Sequence, residues 1–268
     1  MSKFFLSCDI EGTCGIAAWE ETEAKEPAYA AFADQMSREV SAACEGLLAA
    51  GANAIRVRDA HETARNIRPQ LLPQREEITL MRGWGREPLG MMNGLDESYD
   101  GVLFTGYHSA CGWNGNPLSH TTNLRNISVR INGETAPELL INSLTAAMFD
   151  VPVLMVAGDQ MLCSWFHSKV PAALTVPVSR GEGNGSCSIM PGVACHKIQE
   201  AARQAASLDR KACLFPMPSS FDVEVTYREH QAARGNSWFP GARQTDSRTI
   251  SFCSDKWMDV LVFFHFCM

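Results

Sequence analysis

Short apolar runs of strand length recur along the chain, separated by longer stretches of helical pattern. The runs are Phe4 to Ile10, AIRVRDAH (54–61), GVLFTGYH (101–108), ISVRING (127–133) and VPVLMVAGD (151–159). The last is continuously apolar and closes on Gly-Asp, as expected of a strand covered on both faces. Residues 28–50, AYAAFADQMSREVSAACEGLLAA, are Ala-rich, with Pro27 ahead and Gly51 behind. That punctuation predicts a helix with a glycine C-terminal cap. Pro137 to Phe149 carries apolar Leu139, Leu140, Ile141 and Leu144 at helical spacing. Strands at 173–178, 221–227 and 248–253 and a helix at 194–207 complete the reading. Residues 180–194, SRGEGNGSCSIMPG from Ser179, read as a Gly-rich loop, and 228–246 as an irregular connection. The closing VLVFFHFCM is apolar but far short of the ~20 residues that cross a bilayer. It predicts a packed terminal helix or strand, or a contact between copies of the chain.

Strands alternating with helices predict an α/β fold: a mixed or mostly parallel sheet flanked by helices, with a smaller C-terminal α+β part. A soft boundary divides residues 1–170, the region holding the candidate ligands, from 171–268, a smaller region completing the fold. The 268 residues are 46% apolar and 20% charged, an ordinary globular composition. The net charge of -7 and the lack of a basic run argue against nucleic acid as a partner. Ten cysteines without a CxxC pair read as reduced thiols, many of them buried. The first residues show no basic segment leading into a long apolar one, so neither a secretory signal nor a membrane anchor is expected, and the expected location is cytoplasmic.

The stretch SCDIEGTCG changes the picture. Asp9 and Glu11 follow an apolar run and stand two apart, which on a strand puts both carboxylates on one face. Crowded carboxylates need a positive partner to stay ionised. His61 and His108 also end candidate strands, where the ligand crevice of an α/β sheet lies. His120 sits in the polar loop NPLSHTTN, and Glu138 opens the helix after ISVRING. Carboxylates and imidazoles together suit zinc, manganese or another first-row metal. Three acids with two or three histidines exceed what one tetrahedral zinc needs, and fit two metals sharing a carboxylate. Asp59, beside His61, either orients an imidazole or caps a turn. His167, His196, His230 and His265 have no partner pattern.

SCDIEGTCG (7–15), RDAHE (58–62), FTGYHSA (104–110), LSH (118–120), INGE…PELLIN (131–142) and DVPVLMVAGD (150–159) together resemble the M55 family of D-aminopeptidases, in family order over roughly the first 160 residues. The resemblance implies two zinc ions, bridged by Asp9, with Glu11 and His61 completing one and His108 and Glu138 the other. It implies His120 as the catalytic side chain and a homodecamer as the assembly. The implied activity is release of N-terminal residues from short peptides such as D-Ala-D-Ala by metal-activated water. Past residue 165 the resemblance weakens: Ser179, followed by Arg180, stands where the family has a lysine. Two other readings compete. DIEGT is similar to the DxDGT motif of magnesium-dependent haloacid-dehalogenase-type phosphatases, but Glu11 replaces its second Asp and the histidines would be idle. A non-catalytic, metal-stabilised peptide-binding protein would be expected to have lost His120 or a ligand, and none is lost.

Overall fold

The computed structural model describes residues 2–268. Its strands are β1 (Lys3–Cys8), β2 (Ala54–Asp59), β3 (Ile78–Met81), β4 (Gly101–Tyr107), β5 (Asn126–Ile131), β6 (Glu134–Thr135), β7 (Val153–Asp159), β8 (Leu174–Glu182), β9 (Gly185–Ser188), β10 (Phe221–Tyr227), β11 (Arg243–Gln244) and β12 (Thr249–Ser254). The helices are α1 (Tyr29–Ala49), α2 (Glu138–Met148), α3 (Gln160–Lys169), α4 (Pro191–Ala205), α5 (His230–Asn236) and α6 (Trp257–Cys267).

A seven-stranded sheet runs in the order β3-β2-β1-β4-β7-β8-β9, parallel except for β9. β4 and β7 are buried at every residue, because both sheet faces are covered, and their sequences are accordingly continuous apolar runs. From β1 the chain builds outward one way through β2 and β3, and from β4 the other way through β7 and β8. The strand order therefore reverses between β1 and β4, where a crevice opens at the carboxyl ends. A second, antiparallel sheet runs β11-β12-β10-β5-β6. Along β10 buried positions alternate with more exposed ones, the mark of a sheet packed on one face. Each sheet draws strands from both sides of residue 170.

Helix α1 begins after Pro27 and ends before Gly51, whose φ of +85° is the left-handed conformation glycine adopts readily. It packs on α4. The closing apolar run is a helix: α6 buries Trp257, Val260, Leu261, Phe263 and Phe264, and leaves Phe266 exposed. Phe263 stacks on Phe252 of β12, with ring centroids 4.8 Å apart. Each such buried side chain contributes about 2 kcal/mol. No helix among the described residues is long and apolar enough to cross a membrane, and all ten cysteines are free thiols.

Two local expectations are corrected, and one helix appears that no expectation covered. Residues 180–188 are not a loop but the β8–β9 hairpin, closed by a turn through Gly183 at φ +60°. Residues 228–246 contain α5 and β11. Helix α3, unmarked in the sequence pattern, is started by Asp159, whose carboxylate accepts the amide of Leu162 at 2.9 Å.

Glu39 ties α1 to the loop after β1. Its Oε1 accepts the Cys14 amide at 3.0 Å and Gln35 Nε2 at 3.1 Å, while Oε2 has no partner. Burial pushes this carboxyl up to about 7 from an ordinary 4.5, against the lowering effect of those hydrogen bonds. The folded chain thus holds a proton that the unfolded chain has released between these values. Its stabilising share is complete below pH ~4.5 and disappears as pH rises through 7, a loss of about 3 kcal/mol. Glu39→Gln keeps an acceptor for both donors and removes the titration. Urea unfolding at pH 5 and pH 8 should show the variant gaining on the wild type at the higher pH; parallel pH profiles would rule this out.

Candidate metal centre

β1 ends at Cys8, and the next amide, of Asp9, donates to Thr105 O of β4 at 2.9 Å. Thr13 N then donates to Ile10 O at 2.9 Å, so Asp9 and Glu11 lie where the chain turns beyond the strand, and turn geometry, not strand alternation, brings their carboxylates together. The turn presses close to β4, with Gly12 N donating to Gly106 O at 2.8 Å. Only glycines permit this approach. A Cβ on Gly12 would stand 1.8 Å from Tyr107 O, and one on Gly106, at φ +69°, would stand 2.0 Å from Asp9 O.

His61 follows β2. Asp59 takes the capping role: it accepts Ile67 N at 2.7 Å and Asn66 Nδ2 at 2.9 Å, and Asn66 Nδ2 also reaches His61 O at 2.7 Å. The His61 ring lies 3.0 Å through Nε2 from the carbonyl of Thr22. A carbonyl only accepts, so Nε2 carries the proton and Nδ1 faces inward with its lone pair. That atom lies 3.1 Å from Glu11 Oε2 and 3.3 Å from Asp9 Oδ1.

His108 directly follows β4. Its Nδ1 donates to Ser109 O at 3.0 Å, which leaves Nε2 facing Asp9 Oδ2 at 3.4 Å, Glu138 Oε2 at 3.7 Å and Glu11 Oε2 at 3.9 Å. Asp159, the cap of α3, also holds this corner by accepting Ser109 Oγ at 2.7 Å. Glu138 is the first residue of α2, and its Oε1 accepts Thr122 N at 2.7 Å. His120 donates through Nδ1 to Leu118 O at 2.9 Å and stacks on His108 with centroids 4.4 Å apart. Its Nε2 lies 3.6 Å from Glu138 Oε1 and 3.8 Å from Glu11 Oε1.

All six sequence-derived residues thus converge, each at most 8% exposed. They form three sets of ligand atoms within 4.8 Å of one another: Asp9/Glu11/His61, Asp9/His108/Glu138 and Glu11/His108/His120. Buried His108 Nε2 and Glu11 Oε2 have no hydrogen-bond partner. Imidazole and carboxylate atoms gathered this closely are neutralised by a shared cation or by protons on the rings, and the donor set is of the type that suits zinc and its first-row neighbours. The electrostatics agree. Burial raises the Glu11 carboxyl, yet the facing imidazoles, His61 first, hold it well below the usual carboxylate range. Burial lowers His61 and His108, but the carboxylates overcome it: Glu11 and Asp9 lift His61 well above its ordinary value, and Glu138, Asp9 and Glu11 push His108 up to about 10.

The centre floors a cavity of about 370 Å³ whose walls include Trp19, Thr22, Trp84, Met91 and Leu124. Residues 180–186 are not among its walls. Sequence reading did not find Thr22, Asn116, Trp84 or a structural role for Asp159. Thr22 acts through a backbone carbonyl, and Asn116 through Nδ2 donating to Glu11 O at 3.0 Å. Neither leaves a side-chain spacing to read; Asp159 did leave one, at the Gly-Asp end of its strand.

Over 254 residues the chain is 26% identical to a D-aminopeptidase of Bacillus subtilis (strain 168), covering 93% of this chain and 90% of that protein. Its fold matches that of the Zn-dependent D-aminopeptidase DppA from Bacillus subtilis, a self-compartmentalizing protease, with a TM-score of 0.89 at 23% identity, covering 98% of this chain and 95% of that one. The family model Peptidase_M55, described as D-aminopeptidase, matches residues 2–266, and the chain therefore belongs to the M55 family of D-aminopeptidases.

Proposed function

We propose that the chain is a binuclear zinc aminopeptidase that removes N-terminal residues from short peptides, D-residue peptides such as D-Ala-D-Ala among them. The observation that carries the reading is the buried convergence of Asp9, Glu11, His61, His108 and Glu138 with unsatisfied lone pairs. The two oxygens of Asp9 face different histidines, Oδ1 toward His61 and Oδ2 toward His108. That supports Asp9 as the bridge, Glu11 and His61 as the ligands on one side, and His108 and Glu138 on the other. When bound, the ions supply Lewis acidity and a water nucleophile at neutral pH. The chain's own residues do the rest. Lys25 on the cavity wall pairs with Glu23 at 3.0 Å, and Glu62 beside them adds a negative charge that favours a peptide's terminal ammonium. His120, fixed through Nδ1, presents Nε2 to the cavity and moves a proton there, from the attacking water or to the leaving amine.

The self-compartmentalizing relative supports self-association of this chain, for which we propose a homodecamer. Ten free thiols fit a cytoplasmic location.

The test is metal analysis of the purified protein, followed by assay of D-Ala-D-Ala, L-Ala-L-Ala and a phosphate ester. Two zinc ions per chain and dipeptide cleavage that chelation abolishes and zinc restores are expected. Phosphate-ester turnover dependent on Asp9, with no dipeptide cleaved, selects the phosphatase reading instead.

A further inference from the structure

A second cavity, of about 250 Å³, lies beside the metal centre. Trp84, Met91, Thr122 and Glu138 wall both spaces. Its remaining walls are dominated by Leu89, Ile141, Leu261, Phe264 and Met268, brought from a loop, from α2 and from α6. We infer that this cavity is a subsite for a large apolar side chain, of leucine or phenylalanine type, next to the bond that is cleaved. The inference rests on the aminopeptidase reading and narrows its substrate class.

Continuity with the metal centre names the occupant. The first atom of a substrate side chain lies two bonds from the scissile carbonyl carbon on the acyl side and three on the amine side. A wall shared with Glu138 is therefore where such a side chain first arrives. The chemistry of the walls sets its character. Asn142, the polar group on the α2 side, spends its Nδ2 on the hydroxyl of Tyr107 at 2.9 Å, and His265 on the α6 side is the other polar group of the remaining walls, which are otherwise mostly apolar. Tyr107 is held in turn by Ser7, which also reaches Met91 O at 3.0 Å. The partition between the cavities is braced as well. Trp84 Nε1 donates to Glu62 O at 2.6 Å, and the fully buried Arg58 guanidinium lies 4.5 Å from the centre of the indole. A braced apolar pocket is already formed before a ligand enters, so little of the binding free energy is lost to ordering it.

The test uses the zinc-loaded protein and dipeptides in both stereochemical series, with alanine, leucine or phenylalanine on either side of the bond. Leucine or phenylalanine on one side should raise kcat/KM at least about tenfold over alanine, since each added methylene in a fitted pocket is worth that order of discrimination. Ile141→Trp and Leu89→Trp, on separate elements, fill the cavity and should bring that ratio close to one. Calorimetric titration of the metal-free protein with leucinamide, phenylalaninamide and alaninamide gives a readout independent of turnover. The bulky amides should bind more tightly, and the two variants should lose the difference. If no peptide is cleaved but this binding preference stands and the variants erase it, the subsite holds and the aminopeptidase reading fails. Preference for alanine, or a bulky preference that survives in both variants, overturns the subsite. So does a change of assembly size in the variants without a change of preference, which would make the cavity a contact for a second copy.

Discussion

Glu11→Gln protein, dialysed against zinc-free buffer, should retain less than half the zinc of the wild type and cleave dipeptides at least about 100-fold more slowly. The reason is the position of one carboxylate. Glu11 Oε2 is 3.1 Å from His61 Nδ1 and 3.9 Å from His108 Nε2, and Oε1 is 3.8 Å from His120 Nε2. No other side chain in the centre faces all three rings. The amide keeps the shape but loses the charge and turns one oxygen into a donor aimed at imidazole lone pairs. Even groups one layer further from a metal cost 10–100-fold in affinity or activity when removed, so the ligand role proposed for Glu11 sets the expected cost at the upper figure or above. Metal content by mass spectrometry checks the first half of the result. A melting curve checks it independently, because zinc stabilises only a folded state that binds it. The sign with pH follows from the same contacts. His61 and His108 hold protons more firmly than usual in the metal-free chain. Protons and zinc compete for the same nitrogens, so zinc affinity should fall as pH falls. A Glu11→Gln protein with full zinc content would remove Glu11 from the ligand set.

The convergence of Asp9, His61 and His108 was legible because they follow the ends of strands that the sequence marks plainly, whereas Glu138 opens α2 and His120 lies in a loop. VPVLMVAGD and GVLFTGYH are continuous apolar runs, and the glycines and polar residues after them announce where the chain turns. The arrangement of Asp9 and Glu11 was less legible. Alternation along a strand and a turn after it both bring the two acids together, and the Thr13 N to Ile10 O bond at 2.9 Å, which closes a turn over Ile10 to Thr13, decides between them. Helix α3 escaped because just Leu162, Cys163 and Phe166 of its ten residues are buried, too few to set a period. The β8–β9 hairpin escaped because glycines at 181, 183 and 185 read as loop, whereas Gly181 N bonds Gly115 O at 2.8 Å within an ordered edge. The closing run VLVFFHFCM was apolar at nearly every position and so carried neither a helical nor a strand period. Tertiary packing decided it: Trp257 Nε1 bonds Thr145 Oγ1 of α2 at 3.0 Å, and Tyr227 caps the far end through Cys267 O at 2.7 Å. The same packing brings Leu261 and Phe264 to the side of the metal centre, from more than a hundred positions beyond Glu138 in the chain. No local pattern encodes such a meeting.

His120→Ala should bind the same amount of zinc as the wild type and lose between about 100- and 10,000-fold in kcat, the range for removing a general acid or base. The two halves of this expectation pull against each other in the geometry, which is why the variant is informative. Glu11, His108 and His120 form a set as compact as the other two, so His120 could serve as a metal ligand. Three contacts argue for the proton-transfer role. His120 Nε2 is no closer than 3.6 Å to any carboxylate of the centre, whereas His61 Nδ1 comes within 3.1 Å and His108 Nε2 within 3.4 Å of one. Its ring stacks nearly parallel on that of His108, at 12° and 4.4 Å between centroids, a contact that fixes the plane of the imidazole on the cavity side. Trp19 meets the His120 ring edge-on at 5.3 Å and shares the cavity wall with it, leaving the imidazole where a substrate would lie. Ligand count argues the same way, since Asp9 as a bridge with two further protein ligands on each side leaves positions open for water and substrate. His120→Gln refines the result. Glutamine can still donate a hydrogen bond to a developing oxyanion but cannot shuttle a proton at neutral pH. Substantial rescue by glutamine over alanine makes His120 an oxyanion donor, and equal loss in both makes it the proton carrier. A parallel loss of zinc and turnover in His120→Ala would instead transfer His120 to the ligand set and leave the proton-carrying step to another group on the cavity wall.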